Sequence, residues 1–383
     1  MDRNTEIGLI KQVIGLADQK SAYLDPTIAH SPITRYISPD RFEREMSAIF
    51  KRRPVVLAQS SELTGENAFL TKRFLDLPVL LIRDGDGRAQ AYLNVCRHRG
   101  ATLERDAGGC KRVFTCPYHG WSWDNQGDLR AVPHEDQGFP ELMRAERALR
   151  SLPTAEAFGF IWIIANPETS EMPDIETWIG AELAKDFNWM DLADHRIAQI
   201  ETVDIAANWK VLIEGGLEAY HFRVAHKNTI APYFMDNLSP YQIYGPHMRG
   251  VLPRTTMPDL SQTDETSWEI RRDANLLYTV LPSMQMLVQQ DHVMWFHYEP
   301  VSIDCTRIRM ATLVPNSVPQ TDEMEEHWAK NQLITKTALM EDFDLAAEIQ
   351  SGFASRGNPS HIFGRYEGAL NRFNAAVEEM IQG

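Results

Sequence analysis

Apolar and polar positions change their spacing twice along the chain, which divides it into three stretches. Residues 1–50 form a polar arm whose later part has helical spacing. Residues 51–170 contain short apolar runs separated by turns. Within them, residues 79–82 and 91–93 flank an Asp-Gly-Asp-Gly turn and predict a hairpin, and residues 158–164 predict a further buried strand. The middle of the chain is therefore expected to be a small β domain.

The remaining stretch, residues 171–383, mixes helical and strand spacing. A segment rich in Glu, Thr, Ser and Pro at 168–174 marks the boundary before it. Near the C-terminus, Leu345, Ile349 and Phe353 recur at helical spacing. Apolar runs predict helices near 175–187 and from Asn208, and strands near 197–206, 276–281, 286–288, 293–298 and 307–314. This pattern indicates an α+β domain in which long helices cover a sheet.

Composition narrows the classes of function. The 383 residues carry a net charge of −15, which disfavours nucleic acid as a ligand because phosphate binding needs a clustered basic surface. The acidity fits either simple solubility or an acidic docking face for a redox partner. The sequence has no apolar run long enough for a membrane span, and its polar start lacks the apolar core of a signal peptide. We therefore expect a cytoplasmic protein that does not enter a membrane.

Two of the four cysteines stand in an ordered pattern with histidines. Cys96 and His98 are separated by one residue, and Cys116 and His119 by two, so each half offers one thiolate and one imidazole. Two cysteines can hold one iron of a [2Fe–2S] cluster and two histidines the other, and the neutral imidazoles make the cluster easier to reduce. The alternative is a Cys2His2 zinc site, although such sites usually have different spacing.

A second set of candidate ligands lies in the stretch that predicts a helix from Asn208. Glu218 and His221 are three residues apart, so we expect them to share one helix face. His221 and His226 lie about 140° apart on an ideal helix, so both reach one metal only if the helix ends or distorts there. Two histidines and a carboxylate on one side of an iron ion leave positions for dioxygen. Histidines that only fill the core are the alternative.

Together these motifs resemble a known family. The runs Cys96-Arg97-His98-Arg99-Gly100 and Cys116-Pro117-Tyr118-His119-Gly120-Trp121 resemble the Rieske domain of ring-hydroxylating oxygenase α subunits. The stretch from Asn208 to His226 is similar to that family's Asn-Trp-Lys … Asp-x-Tyr-His-x-x-x-x-His. The resemblance extends from about Arg53 to the C-terminal helices. It implies a Rieske β domain followed by a helix-grip (START-like) catalytic domain with an antiparallel sheet and helices.

The resemblance assigns ligands to two iron groups. It implies that Cys96 and Cys116 bind the inner iron of a Rieske [2Fe–2S] cluster. His98 and His119 then bind the outer iron.

For the mononuclear Fe(II), the resemblance implies His221 and His226 as ligands. The family's third ligand is a carboxylate in the C-terminal helical part. We expect Asp342 in that role, with Glu341 and Asp344 as alternatives.

Glu218 departs from the family pattern, which has Asp at this position. The resemblance implies that this carboxylate bridges His221 to His119 of a neighbouring subunit, because it can accept a hydrogen bond from each imidazole. Glu is one methylene longer than Asp. With Glu at this position, the sequence resembles the branch of the family that acts on choline, betaine and carnitine. Glu214 is either a further acid close to the site or a solvated residue on the helix face.

The resemblance implies a terminal oxygenase that works in a multicomponent system. The sequence has no Gly-x-Gly-x-x-Gly after a strand and no phosphate loop, so electrons are expected from a separate ferredoxin or flavin/iron–sulfur reductase. Transfer between subunits implies a head-to-tail homotrimer. The expected reaction is hydroxylation or oxidative demethylation of a small organic, aromatic substrate, with a quaternary ammonium compound as the alternative. A Rieske electron carrier without oxygenase activity is the alternative from another class.

Overall fold

The computed structural model describes residues 1–382, which divide into two compact units. The first is continuous from Phe50 to Trp178 and is called the β unit below. The second combines residues 1–49 with the chain from Ile179 onward and is called the mixed unit. Among the described residues, no helix combines the length and the apolar character that crossing a membrane requires.

The first 49 residues begin with capped helices. They form α1 (Arg3–Asp18), β1 (Ala29–Pro32), α2 (Thr34–Ile37) and α3 (Pro39–Glu45), and a π-helical turn, Met46–Phe50, follows. The side chain of Asp2 caps α1 by accepting from the backbone N–H of Thr5 at 2.9 Å. Ser38 caps α3 in the same way, and Pro39 starts that helix at a position where proline is tolerated. Helix was predicted in this part of the arm and is confirmed.

The β unit consists of short antiparallel strands. They are β2 (Val55–Gln59), β3 (Ala68–Phe74), β4 (Leu77–Arg83), β5 (Ala89–Leu93), β6 (Gly108–Cys110), β7 (Val113–Thr115), β8 (Ser122–Asp124), β9 (Leu129–Ala131), β10 (Ser151–Leu152), β11 (Thr154–Ala157) and β12 (Phe160–Ile163), with one helical turn, α4 (Glu135–Gly138). They form sheets in the orders β10-β5-β4-β3-β6, β11-β12-β2 and β7-β8-β9. The predicted hairpin is β4–β5, and the predicted buried strand is β12.

The rest of the chain alternates helices with longer strands. The elements are α5 (Ile175–Ile179), α6 (Ala181–Met190), β13 (His195–Ile205), α7 (Trp209–Gly215), α8 (Phe222–Ala225), β14 (Tyr241–Tyr244), β15 (His247–Pro253), α9 (Ile270–Asp273), β16 (Ala274–Val280), β17 (Met284–Val288), β18 (Val293–Ser302), β19 (Cys305–Pro315), α10 (Asp322–Ala354), β20 (Ser360–Phe363) and α11 (Gly368–Gln382). The single helix predicted near 175–187 is wrong: Gly180, with φ of +78°, separates α5 from α6.

A seven-stranded antiparallel sheet organises the mixed unit. Its order is β13-β19-β18-β17-β16-β15-β14, and the predicted strands correspond to β13 and β16–β19. The long helix α10 contacts α7, the edge strand β13 and its neighbour β19. Strand β1 of the N-terminal segment pairs with β20 near the C-terminus, which ties that segment to this unit. The predicted α+β class, with an antiparallel sheet covered by helices, is confirmed.

Candidate metal centres and their pocket

Two loops of the β unit share one hydrogen-bond pattern. In the first, the N–H of Cys96 donates to the carbonyl of Ala101 at 2.8 Å, and Gly100 N–H donates back to Cys96 at 3.0 Å. In the second, Cys116 N–H donates to Trp121 at 2.8 Å, and Gly120 N–H donates back to Cys116 at 3.0 Å. The two loops therefore present their cysteine and histidine side chains from the same kind of tight turn.

A glycine closes each of these turns because the backbone there is left-handed. Gly100 has φ of +81° and Gly120 has φ of +75°, a region that costs other residues about 1–2 kcal/mol. A Cβ on Gly120 would also come within 3.2 Å of the Pro133 ring. The glycines that flank the predicted ligands are thus required by the turn geometry.

The side chains of the two loops fit an iron–sulfur cluster. Cys96 and Cys116 are buried and form no disulfide. His98 stacks on Trp121 with ring centroids 4.7 Å apart, and its buried Nδ1 has no hydrogen-bond partner among the described residues. Burial and the nearby His119 lower the pKa of His98, which favours the neutral imidazole that a metal ligand needs. A buried imidazole nitrogen without a partner, beside two buried thiols, is the donor set that a Rieske cluster needs.

The second histidine of this set faces outward. His119 lies 4.7 Å from His98 between ring centroids, and its Nε2 accepts from Arg99 at 3.0 Å. Arg99 also covers the ring of Tyr118, which is 60% exposed. This tip of the β unit therefore combines a candidate ligand with an exposed aromatic and a cation.

Three donor atoms of the mixed unit converge at one point. Nε2 of His221 lies 3.1 Å from Nε2 of His226, and Oδ1 of Asp342 lies 3.4 Å and 3.0 Å from these two nitrogens. Donors bound at right angles to a metal with bonds of about 2.1 Å are about 3.0 Å apart. These three residues also form the one group within residues 1–382 whose donor atoms are close enough to share a metal ion. The spacing fits two histidines and a carboxylate on one face of an iron ion.

The same convergence perturbs the three groups electrostatically. Burial opposes protonation of His221, but hydrogen bonds to Asp342 and Glu218 outweigh it and raise its pKa to about 10. Burial likewise opposes ionisation of Asp342, yet the two histidines keep its pKa below the ordinary value. The carboxylate therefore favours positive charge at the point where the imidazole nitrogens meet.

The backbone at this site differs from the predicted helix. Helix α7 ends at Gly215, and Glu218 lies beyond it, so the expectation that Glu218 and His221 share a helix face is wrong. His221 and His226 instead flank the single turn α8. Because the chain leaves the helix at both ends of this turn, the two imidazoles point to one place instead of diverging by about 140°.

Glu218 orients His221 from outside the triad. Its Oε1 accepts from Nδ1 of His221, and its Oε2 accepts from the backbone N–H groups of Tyr220 and His221. The carboxylate is 7% exposed, so these hydrogen bonds replace much of its hydration. Glu218 thus fixes both the ring of His221 and the turn that carries it.

Glu341 orients His226 in the way that Glu218 orients His221. Nδ1 of His226 donates to Oε2 of Glu341 at 2.7 Å, and the hydroxyl of Thr229 donates to the same oxygen at 2.7 Å. Glu341 therefore contacts the ring nitrogen that faces away from Asp342. Asp344, the other residue considered as third ligand, is exposed on α10. It does not belong to the group of His221, His226 and Asp342. The three acids of α10 therefore have different environments. Asp342 meets the facing nitrogens of both histidines, Glu341 binds the far side of His226, and Asp344 is exposed.

The segment before the histidines is anchored by its polar residues. Asn208 caps α7 by accepting from the N–H of Lys210 at 3.1 Å. Nζ of Lys210 lies 2.6 Å from Oε2 of the buried Glu45, which also accepts from Trp209 at 2.9 Å. Glu214 is buried and accepts from the Tyr36 hydroxyl at 2.7 Å. Its interpretation as a solvated residue is therefore wrong, and burial raises its pKa to about 7.

A cavity of about 660 Å³ opens from the triad into the mixed unit. Its wall includes His221, His226 and Asp342, together with side chains from β15–β18 and α10. Most of the wall is apolar, with six aromatic residues: Phe222, Tyr233, Phe234, Phe296, Tyr298 and Phe343. On β18, Phe296 lines the cavity, whereas its neighbour Trp295 is buried in the core. The sequence did not identify Gln285, Asn275 and Arg254, because no periodic or motif signal marks them.

Comparison with known proteins identifies both units. Residues 53–154 match the Rieske [2Fe-2S] domain, and residues 191–383 match the ring hydroxylating alpha subunit (catalytic domain). The two matches thus define a protein with a Rieske domain followed by a catalytic domain. The chain belongs to the family of ring-hydroxylating oxygenase α subunits, whose two domains carry a Rieske [2Fe–2S] cluster and a mononuclear iron.

Curated relatives match part of the chain. The anthranilate 1,2-dioxygenase large subunit of Acinetobacter baylyi is 30% identical over 202 residues, which is 51% of this chain and 42% of that protein. The carnitine monooxygenase oxygenase subunit of Escherichia coli is 30% identical over 207 residues, which is 54% of this chain and 53% of that protein. The aligned part of the chain thus spans about half the length of these curated relatives.

Solved structures share the fold across almost the whole chain. The quaternary ammonium Rieske monooxygenase CntA in complex with L-carnitine has a TM-score of 0.78 at 21% identity, and the match covers 93% of this chain and 97% of that chain. Naphthalene 1,2-dioxygenase from Rhodococcus sp. has a TM-score of 0.74 at 18% identity, covering 98% of both chains. At these identities the likeness establishes the fold alone.

Proposed function

We propose that this chain is the terminal oxygenase component of a multicomponent Rieske system. It receives electrons from a ferredoxin or a flavin/iron–sulfur reductase and uses dioxygen to hydroxylate or oxidatively demethylate a small organic substrate. The observation that carries this proposal is the convergence of His221, His226 and Asp342 in the wall of a large apolar cavity. A Rieske electron carrier has no need for a second metal triad that opens into such a cavity.

The metal assignments follow from the donor sets. Cys96 and Cys116 hold one iron of the Rieske cluster, and His98 and His119 hold the other.

His221, His226 and Asp342 hold the mononuclear Fe(II), which supplies the positions at which dioxygen is activated when the metal is bound. The chain's own contribution is positional. Glu218 and Glu341 fix the two imidazole rings, and the apolar wall excludes water from the bound substrate.

We further propose that Glu218 connects the two metal sites of neighbouring subunits in a head-to-tail homotrimer. Its Oε1 accepts from His221 and has a second lone pair with which to accept from His119 of the next subunit. Exposed aromatic residues lie beside both partners: Tyr220, which stacks on Tyr366, and Tyr118. Exposed aromatic side chains are common at protein interfaces, which supports contact between these two surfaces.

The aromatic wall of the cavity supports an aromatic substrate. The names of two relatives, anthranilate 1,2-dioxygenase and biphenyl 2,3-dioxygenase, agree with this expectation. A quaternary ammonium substrate is the second candidate, because Glu occupies the Glu218 position, aromatic faces attract such cations, and carnitine monooxygenases are among the relatives.

Iron analysis tests the proposal directly. We expect about three irons per chain, and dioxygen uptake when a surrogate reductase and a substrate panel are supplied. Replacement His221→Ala should abolish turnover and reduce the content to about two irons, while the cluster's visible and paramagnetic spectra remain. Two irons per wild-type chain with no dioxygen consumption would instead identify an electron carrier, and a colourless protein that contains zinc would exclude both.

A second replacement tests the bridge. Glu218→Gln should slow the reoxidation of the Rieske cluster during turnover while both metals are retained, because the amide cannot accept from two imidazoles as well as a carboxylate does. Unchanged single-turnover kinetics would contradict the bridging role. Loss of mononuclear iron would show that Glu218 acts on metal binding instead.

A further inference from the structure

Arg254 lines the cavity without a charged partner. It follows β15, and its Nη2 donates to Oδ1 of Asn275 at 3.1 Å. Its guanidinium lies 5.6 Å from the ring centroid of Phe234, and its buried Nε has no hydrogen-bond partner. The guanidinium is thus held in place on one side by an amide and an aromatic ring.

Asp273, whose backbone contacts Arg254, does not neutralise this charge. The backbone carbonyl of Asp273 accepts from the N–H of Arg254 at 2.8 Å. The carboxylate of Asp273, however, accepts from the hydroxyl of Thr256 at 2.8 Å. Across residues 1–382, no Asp or Glu side chain lies within ion-pair distance of Arg254. A half-buried arginine normally has an anionic partner. Because the chain supplies none, a bound anionic ligand would complete the pair.

Arg254 lies in a polar group of cavity residues away from the triad. Leu252 and Asn275 are opposite each other in the β15–β16 pairing, which puts Arg254 beside this end of β16. The pairing of Leu276 with Val288 brings Asn275 opposite Gln289, just beyond β17. Arg254, Asn275 and Gln289 therefore occupy the same end of the cavity.

Hydrogen bonds link this polar group to helix α10, which also carries Asp342 of the triad. Hydrogen bonds connect Gln289 to α10 through the series His292, Asp291, His327 and Asn331. Asn331 also lines the cavity and precedes Asp342 by eleven residues on α10, which corresponds to about 16 Å along the helix axis. The part of the cavity wall that α10 supplies thus extends from the polar Asn331 to Asp342 of the triad.

Apart from this polar group and the triad, most of the wall is apolar. It includes Leu252, Leu277, Leu287 and Phe296. Among the described residues that line the cavity, Arg254 and Asp342 can carry a charge besides the two histidines. The charge of Asp342 is already compensated by these histidines. An anionic group at the far end meets a guanidinium there, whereas a cationic group meets repulsion without a compensating carboxylate.

We propose that Arg254 is the anion-recognition residue of this cavity and that the substrate carries a carboxylate at the end remote from the triad. This inference rests on the proposed oxygenase function, because it concerns the substrate of the same site. The guanidinium binds the carboxylate, Asn275 holds the guanidinium, and the apolar body extends towards His221, His226 and Asp342. Such binding fixes which carbon of the substrate faces the triad, so Arg254 determines regioselectivity as well as affinity.

Calorimetric titration of the iron-loaded full chain without dioxygen tests the proposal. The probes are benzoate, 3-phenylpropanoate and biphenyl-4-carboxylate, each paired with its neutral amide and with a trimethylammonium analogue of equal length. We expect at least one carboxylate to bind about 10- to 100-fold more tightly than its amide, and the cations to bind more weakly than either. Equal affinity for acid and amide, tighter binding of a cation, or no binding by any carboxylate overturns the proposal.

Variants locate the effect. Arg254→Gln should reduce the preference for acid over amide to less than about threefold, and Arg254→Lys should keep part of it because the charge remains. Arg272→Gln removes the same charge from an exposed position on α9 that does not line the cavity, and it should behave like the wild type. Full preference in Arg254→Gln refutes the assignment, and the wild-type comparison of acid and amide decides the question if that variant does not fold.

Dioxygen uptake and product analysis separate this inference from the oxygenase proposal. Selective carboxylate binding without dioxygen consumption, when the cluster is reduced, would refute the oxygenase function and leave the anion site. Turnover of neutral or cationic compounds without any preference for the acid would refute the anion site and leave the oxygenase function.

Discussion

Replacement of Glu341 tests whether a carboxylate outside the triad sets the affinity for the mononuclear iron. Glu341 accepts from Nδ1 of His226 and from the Thr229 hydroxyl, both at 2.7 Å. Loss of such an outer partner typically weakens metal binding 10- to 100-fold, or about 1.4–2.7 kcal/mol. Because the Glu341 side chain is 31% exposed, solvent screens part of its charge. We therefore expect about 10-fold weaker Fe(II) binding for Glu341→Gln, which keeps an acceptor, and nearer 100-fold for Glu341→Ala.

Competition with a chromophoric Fe(II) chelator under anaerobic conditions measures this change, and the Rieske cluster's absorption counts the folded chains. Glu348→Gln is the matched control, since it removes a carboxylate from an exposed position of the same helix. Iron affinity equal to that of the wild type in Glu341→Ala would refute the orienting role. Complete loss of the mononuclear iron would show that Glu341 is itself a ligand.

Three further replacements test other parts of the structure. Asp342→Asn should remove the mononuclear iron, whereas Asp344→Asn, on the exposed side of α10, should retain it, as iron analysis will measure. Gly120→Ala should lower the cluster content, because the turn needs a left-handed residue and alanine there costs about 1–2 kcal/mol. Gly85→Ala is the control: Gly85 lies in open space without a positive φ, so cluster absorbance should not change. Burial raises the pKa of Glu214 from 4.5 to about 7, so its neutral form favours folding below the lower value, and this contribution is lost as the pH rises through about 7. Urea unfolding should therefore show Glu214→Gln gaining stability over the wild type between about pH 5 and pH 8, by on the order of 3 kcal/mol.

Most of the strands that the sequence predicted in the mixed unit are rich in buried apolar residues. Strands β16–β19 have this character, and each was expected near its observed position. Strand β15 was not expected, because His247 and Arg249 interrupt its apolar run although both are buried. Arg249 is buried through its ion pair with Asp186, 63 residues earlier in the chain. A charge neutralised by so distant a partner gives no local signal.

The candidate site was predictable where its chemistry is local in sequence. The Cys–His and His–His pairs lie within short segments whose spacing restricts the chemistry. The choice among Glu341, Asp342 and Asp344 was not predictable, because neighbouring residues of a helix differ by about 100° around its axis. Only the packing of α10 against the histidine turn decides which carboxylate meets the donor nitrogens. Arg254 likewise became visible only when the strands were assembled into a sheet.

The break between α7 and α8 is what allows a five-residue histidine spacing to form a triad. The capped start of α7, with Lys210 bound to buried Glu45, fixes the helix in the fold. The helix then ends at Gly215, and Glu218 caps the following turn through two backbone N–H groups while it orients His221. One carboxylate thus determines both the backbone and the ring of a ligand. It follows that shortening Glu218 to Asp would disturb both this turn and the orientation of the His221 ring.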